Sequence, residues 1–86
     1  MKIRLVVSGR DYDLAKTLPQ ELALSDGASL DQALEALAAL VPPGRGLADS
    51  CLVAVSGVHL GTLRHHRPRP LVDGDELLIL APVAGG

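Results

Sequence analysis

Hydrophobic residues along the chain fall into short segments separated by turn residues, and their spacing predicts strands around one helix. Lys2–Ser8 is rich in β-branched and aliphatic residues, which is typical of a strand. In Leu18–Ser25, Leu22 and Leu24 are two positions apart, the period of a half-buried strand. Pro19 lacks an amide donor, so this second strand should lie at a sheet edge or begin after the proline.

A helix is predicted in the middle of the chain. Ser29 is suited to cap its N-terminus, and Gln32, three residues later, completes a capping box. Asp31 in the first turn matches the positive end of the helix dipole. Apolar residues then recur at helical spacing until Pro42 and Pro43, which cannot donate to the helical hydrogen-bond ladder and should end the helix.

Three further strands are predicted after the helix. Cys51–Val55 is the third strand, and Val58–Leu60 is a short fourth one after a turn at Gly57. Glu76–Ala81 is the last strand; its successive apolar residues favour a central place in the sheet, with cover on both faces. Before it, Asp73–Asp75 forms a tight turn in which aspartates bond local backbone and glycine supplies a positive φ.

This order of elements predicts an α+β fold of the β-grasp, or ubiquitin-like, type. The first and last strands would lie side by side in a mixed sheet of four to five strands, with the helix across one face. We expect one β-grasp domain over residues 1–81 and a flexible C-terminal tail over residues 82–86. Apolar residues on the exposed face of the sheet would form a partner surface, with Val53, Val55, Leu60 and Leu78 as candidates.

Composition narrows the range of functions. The chain has 86 residues, 48% of them hydrophobic, which suits one small folded domain. The lone Cys51 is expected to be a buried, inert thiol in a reducing compartment. A net charge of -2 and a single aromatic residue, Tyr12, argue against nucleic-acid binding. No apolar run reaches the ~20 residues of a membrane span. We therefore expect a cytoplasmic protein that binds no nucleic acid, membrane or metal.

The end of the sequence carries the main candidate chemistry. Gly85 and Gly86 follow the last strand after only Pro82, Val83 and Ala84. Glycines have no side chains, so a thin segment ending in a carboxylate can enter a narrow enzyme channel. Adenylation by ATP would turn that carboxylate into an acyl-adenylate, which a sulfur or nitrogen nucleophile can attack. The alternative is that these small residues form an ordinary frayed terminus.

A basic segment precedes the last strand and contains Arg64, His65, His66, Arg67 and Arg69. It is either a solvated loop or an electrostatic docking patch for an acidic partner, where charge speeds encounter more than it adds affinity. The two histidines are adjacent, so in an extended segment their rings point in opposite directions and do not suit one metal ion.

Residues 71–86 read LVDGDELLILAPVAGG, with a D-G-D-E turn, a hydrophobic strand and a P-V-A-G-G end. This segment resembles the C-terminal signature of the MoaD-like sulfur carriers, the small subunits of molybdopterin synthase in the MoaD/ThiS superfamily. The first strand with Arg10 and Asp11 after it, the helix at 29–40 and the strand at 51–55 also resemble that family. The resemblance therefore covers essentially the whole chain.

The resemblance implies a function for the end of the chain. The Gly86 carboxylate would be adenylated by an E1-like enzyme that uses ATP, and sulfur from a persulfide enzyme would convert it to a thiocarboxylate. Pro82, Val83, Ala84, Gly85 and Gly86 would thread into the large subunit of molybdopterin synthase, where the thiocarboxylate donates sulfur to a pyranopterin. The chain would be a non-catalytic subunit that binds no cofactor itself.

Other members of the superfamily leave alternatives open. Thiazole-forming carriers of thiamin synthesis also end in V-A-G-G, but they are usually shorter and usually lack a proline at the place of Pro82. Length and Pro82 thus favour the molybdopterin pathway. Further carriers serve tRNA thiolation or cysteine synthesis. The same activated Gly86 would make the chain a protein modifier if it bonded to a lysine, and an inert interaction domain is the third class.

Overall fold

The computed structural model describes residues 1–8, 17–41 and 48–81. In chain order the elements are β1 (Lys2–Ser8), β2 (Glu21–Ala23), α1 (Leu30–Leu40), β3 (Leu52–Val55), β4 (Val58–Thr62) and β5 (Glu76–Leu80). The sequence-based expectations for Arg10, Asp11, Pro42 and Pro43 concern positions outside the described residues.

The strands form one mixed sheet in the order β2-β1-β5-β3-β4. β1 and β5 are parallel, with Leu5 opposite Leu77 and Val7 opposite Ile79. The pairs β1–β2, β3–β5 and β3–β4 are antiparallel. The prediction that the first and last strands lie side by side is confirmed, and so is the edge position of β2. With α1 packed on the sheet, the fold is the α+β β-grasp arrangement.

The capping box at the start of α1 is confirmed. Ser29 Oγ accepts a hydrogen bond from Gln32 N at 3.3 Å, and Gln32 Oε1 accepts one from Ser29 N at 2.8 Å. The helix ends at Leu40, and Val41 follows in an extended conformation. Among the described residues, no helix has the length and apolar character needed to cross a membrane.

The hydrophobic core lies between α1 and one face of the sheet. Leu30, Ala33 and Leu37 are buried on the helix and belong to the same cluster as alternate residues of the strands. The strand residues of this cluster are Ile3, Leu5, Leu22, Val53, Val55, Leu60, Leu77 and Ile79. Because side chains alternate across a strand, the intervening residues point to the face away from α1.

The expectation that the last strand is covered on both faces was wrong. Leu77 and Ile79 are fully buried against the helix side, whereas Leu78 and Leu80 are only half-buried. In the described parts of the chain, α1 covers one face of the sheet, and nothing comparable packs on the other. The continuous apolar run in β5 therefore combines a core stripe with a partly exposed stripe.

Several strand boundaries differ from the predictions by a few residues. The second strand begins at Glu21 rather than Leu18, although Leu18 is still buried in the core. The third begins after Cys51, whose amide donates to Ala48 in a turn. The fourth is longer than predicted and ends at Thr62, and the last ends one residue earlier, at Leu80.

A tight hairpin joins β3 to β4. Its two turn residues, Ser56 and Gly57, have φ angles of 48° and 86°, the positive pair that a type I′ turn requires. Further along β4, Gly61 has a φ of 134°, and a Cβ there would collide with the carbonyl oxygen of His65. The segment after β4 therefore packs directly on the backbone of that strand, which only glycine permits.

Candidate functional site

The end of β5 is the part of the candidate site that the structure describes. Pro82, Val83, Ala84, Gly85 and Gly86 lie outside the described residues. Ala81 is 4% exposed, and its amide donates to the carbonyl of Ser8 at 2.8 Å. Pairing between β5 and β1 thus continues up to the residue before Pro82. The segment proposed to carry the chemistry therefore starts directly after Ala81, at the end of the sheet where β5 pairs with Ser8.

The opposite end of β5 is held by the D-G-D turn. Asp73 Oδ1 accepts from Lys2 N at 2.7 Å, and Gly74, with a φ of 88°, donates to the Lys2 carbonyl. Asp75 Oδ2 accepts from Val72 N at 2.9 Å. The interpretation of these aspartates as turn-forming residues is confirmed. The turn fastens β5 to the start of β1, which sets the register that carries through to Ala81.

Asp75 also joins this turn to the β3–β4 hairpin. Its Oδ1 accepts from Ser56 Oγ at 2.7 Å, and Ser56 Oγ in turn accepts from Glu76 N at 3.2 Å. Burial raises the pKa of Asp75, but the hydrogen bonds from Val72 N and Ser56 Oγ, with the attraction of Arg69, outweigh it and lower the pKa. The carboxylate is therefore ionised at neutral pH. Its two oxygens accept the hydrogen bonds that hold the turn together and join it to the hairpin.

The face of the sheet away from α1 carries an apolar patch. Val6 and Ala54 both pair with Leu78, and Leu52 pairs with Leu80, so these side chains share one face in two adjacent rows. We call Val6, Leu52, Ala54, Leu78 and Leu80 the apolar sheet face. Leu52 is 41% exposed, and Val6, Leu78 and Leu80 are half-buried.

The sequence-based candidates for this surface are mostly corrected. Leu78 does lie on the apolar sheet face. Val53 and Val55 are fully buried, and Leu60 is 8% exposed; all three belong to the core. The reason is the alternation within β3: once α1 covers the side of Val53 and Val55, Leu52 and Ala54 must point the other way. The prediction had assigned the two stripes of β3 to the wrong faces.

Charged residues border the apolar sheet face on the side away from the end of β5. Arg4 Nη1 lies 3.8 Å from Glu76 Oε2, and the two side chains are 70% and 43% exposed. An ion pair this exposed adds little to stability. Next to it, residues 4–7 and 18–21 line an open groove of about 520 Å³. The apolar rows therefore extend from this charged border to the edge where Ala81 lies.

Cys51 is completely buried and forms part of the hydrophobic core, as predicted. It directly precedes Leu52, which pairs with Leu80, so it lies level with Ala81 across the sheet. Burial in apolar surroundings disfavours the thiolate form that acts as a nucleophile. The structure thus gives no reason to assign sulfur chemistry to this side chain.

The two histidines of the basic segment point in different directions, as predicted. His65 is exposed, whereas the His66 side chain is 12% exposed and packs between β4 and α1. His66 Nε2 lies 2.6 Å from Asp31 Oδ1, and Nδ1 lies 2.9 Å from the Thr62 carbonyl oxygen. Both partners accept hydrogen bonds, so the ring satisfies them best as a doubly protonated imidazolium. Sequence reasoning missed this pair because its members are 35 positions apart.

The charge on His66 should make stability depend on pH. The hydrogen bond to Asp31 raises the pKa of His66; burial opposes this, and the Thr62 carbonyl adds to it. A raised folded-state pKa stabilises the fold fully below the unfolded value, about 6.5, and this contribution is lost as pH rises through the folded-state pKa. We expect His66→Gln to reduce the free energy of unfolding by up to about 1 kcal/mol at pH 5.5 and much less at pH 9.

Urea unfolding of both proteins across this pH range measures the difference. His65→Gln is the matched control, because it removes an adjacent exposed histidine and should leave the pH profile of the wild-type protein unchanged. A His66→Gln deficit that is equal at pH 5.5 and pH 9 would show that folding does not raise the pKa of His66, and would contradict this expectation.

Comparison with known proteins adds one finding. A sequence profile of the ThiS family matches residues 5–86. Neither the curated proteins nor the solved structures gave a match to the chain. The matched range includes the D-G-D turn, β5 and the five residues after Ala81.

Proposed function

We propose, because the chain belongs to the ThiS family, that it carries sulfur on the carboxylate of Gly86. Members of this family are ubiquitin-like sulfur carriers that work with E1-like adenylating enzymes and sulfur-transfer partners. Transfer of sulfur through Gly86 goes beyond that family assignment. Support comes from the sequence of the last 14 residues, which runs from the D-G-D turn through β5 to the two glycines.

The chemistry proposed for Gly86 needs two steps. Its carboxylate oxygen attacks the α-phosphate of ATP on the adenylating enzyme, giving an acyl-adenylate and pyrophosphate. A hydrosulfide ion then attacks the acyl carbon, AMP leaves, and loss of the proton from sulfur gives a thiocarboxylate. Sulfur is the better nucleophile of the two atoms, so the product can attack an acceptor that a carboxylate cannot.

The apolar sheet face is the surface proposed to contact the adenylating enzyme. It reaches the end of the sheet where Ala81 lies, so an enzyme bound over Leu78 and Leu80 would lie next to the last residue before Pro82–Gly86. Exposed apolar surface on so small a domain is typical of an interface. Docking on this face would bring the terminal carboxylate to the enzyme in one orientation, which lowers the entropic cost of the reaction.

For the final sulfur acceptor we propose a pyranopterin on the large subunit of molybdopterin synthase. Support comes from the P-V-A-G-G end, with Pro82 at its start, and from the length of the chain. Proline fixes φ near −65°, so it reduces the conformational freedom that a segment must lose when it threads into a channel. The second candidate is the thiazole-forming step of thiamin synthesis, whose carriers resemble this chain in the same V-A-G-G end.

The experiment that tests this function is an intact-mass measurement. The protein is incubated with ATP, sulfide and the adenylating enzyme of its own host. We expect a species heavier by the difference between a sulfur and an oxygen atom, mapped to Gly86 by fragmentation. Unmodified protein after this incubation would contradict the proposal, and conjugates of higher mass with lysine-containing proteins would indicate a modifier instead. Adding the host's large synthase subunit or its thiazole synthase then identifies the acceptor.

A further inference from the structure

The basic segment begins at the same end of the sheet as the end of β5. Leu52 pairs with both Leu80 and Thr62, so the ends of β5 and β4 are level on either side of β3. Beyond Thr62 the pairing continues, because Arg64 N donates to the Asp49 carbonyl at 3.0 Å. Two strand spacings, about 10 Å, separate this position from the end of β5. We call residues 63–70 the basic loop.

The basic loop is held firmly on the fold. Thr62 N donates to His65 O at 2.8 Å and Arg67 N donates to Leu60 O at 2.9 Å, so the loop turns back along the outer edge of β4. His66 ties its middle to Asp31 on α1, and Leu30 N donates to Arg69 O at 2.8 Å. A backbone fixed at this many points holds the Cα positions of the loop, so no backbone ordering has to be added on binding.

Two exposed arginines and a histidine project from this loop. Arg64, His65 and Arg67 are exposed, and no ion pair among the described residues involves them. The sequence from Gly57 to Val72 contains no acidic residue, although the whole chain has a net charge of -2. Two acidic residues contact the loop: Asp31 through its side chain to His66, and Asp49 through its backbone carbonyl to Arg64 N. The positive charge is thus concentrated on one side of the site.

We propose that Arg64, His65 and Arg67 form a docking surface for an acidic segment of the adenylating enzyme; this rests on the proposed function and names a second contact for the same site. Guanidinium groups form paired hydrogen bonds with carboxylates, and a fixed cluster of positive charge accelerates encounter with an acidic surface. A protein partner fits better than a nucleic acid, because base-stacking surfaces need aromatic side chains and the chain has only Tyr12.

Charge reversal with a matched control tests this surface. Arg64→Glu and Lys2→Glu change the net charge equally, but Lys2 lies at the opposite end of β1 from Ser8 and Ala81. At low salt we expect Arg64→Glu and Arg67→Glu each to lower kcat/KM for thiocarboxylate formation by about 5- to 20-fold, and Lys2→Glu by less than about 2-fold. Rising salt should slow the wild-type reaction more than that of the Arg64→Glu protein. Circular dichroism verifies that each variant is folded.

The outcomes separate this inference from the function on which it rests. Wild-type protein that gains no sulfur would overturn both. Wild-type protein that gains sulfur, with Arg64→Glu equal to Lys2→Glu, would overturn the docking surface alone. If Arg64→Glu reacts normally with the enzyme but loses an affinity for host tRNA that the wild-type protein shows, the surface belongs to a nucleic acid and the proposal is wrong.

Discussion

Removal of Gly86 is expected to abolish thiocarboxylate formation while leaving the fold unchanged. The deletion moves the terminal carboxylate back by one residue, about 3.5 Å, away from the α-phosphate that it must attack. A displacement of even 1 Å from the reactive geometry costs about 100-fold in rate, so the loss should be complete in practice. Among the described residues the core extends to Ala81, five positions before the deletion, and we expect the free energy of unfolding to change by less than about 0.5 kcal/mol.

The measurement is the intact mass after incubation with ATP, sulfide and the adenylating enzyme, together with urea unfolding of the same preparation. Gly86→Ala is a useful companion variant, because it restores the chain length and adds one methyl group. We expect it to react slowly, which would separate the length of the segment from the need for a thin one. Sulfur incorporation by the truncated protein at the wild-type rate would contradict the role of Gly86.

Leu78→Glu is expected to reduce the reaction with the adenylating enzyme at least tenfold. Leu78 lies in the middle of the apolar sheet face, between Val6 and Ala54. A carboxylate there would be desolvated without a partner when an enzyme covers the face, which costs well over the 1.4 kcal/mol that corresponds to a factor of ten. The loss should appear mainly as a higher KM, because Leu78 does not touch the reacting atoms. Steady-state kinetics of AMP release measure it.

Val72→Glu is the matched control for that variant. Val72 is 64% exposed in the turn before β5 and lies outside the apolar sheet face, so the same change of charge should leave kcat/KM nearly unchanged. Leu52→Glu provides a second test, because Leu52 is the most exposed leucine of the patch and its substitution costs the fold less. If both sheet-face variants react like Val72→Glu, the enzyme docks elsewhere.

The two proposed contact surfaces should affect binding differently, because one is apolar and the other is charged. The apolar sheet face contributes affinity through burial, which salt hardly changes, whereas the basic loop contributes encounter rate, which salt suppresses. Variants on the two surfaces should therefore differ in their response to ionic strength. Both surfaces lie next to the end of β5, and neither requires a catalytic side chain in the described residues.

Local sequence signals were sufficient to predict most of the elements of the fold. Ser29 and Gln32 form the capping box with atoms three residues apart, and Gly74 adopts the positive φ of its turn. Such features depend on neighbours in the chain, so the amino-acid pattern alone determines them. The β-branched and aliphatic residues of Lys2–Ser8 likewise indicated β1, and the apolar character of β1 and β5 predicted their central pairing. The candidate chemistry at Gly86 was also drawn entirely from the sequence. The family match is consistent with the assignment of the chain to the sulfur carriers.

Which residues form the surfaces around the site was decided only by the tertiary structure. In β3 and β5 apolar residues occupy successive positions, so the sequence contains no phase that distinguishes the core stripe from the exposed one. The packing of α1 made that choice, burying Val53 and exposing Leu52. The pairing of His66 with Asp31, and the position of the basic loop beside the end of β5, depend on register across three strands. Contacts between residues so distant in sequence exist only once the sheet has formed, because no local pattern specifies which strands become neighbours.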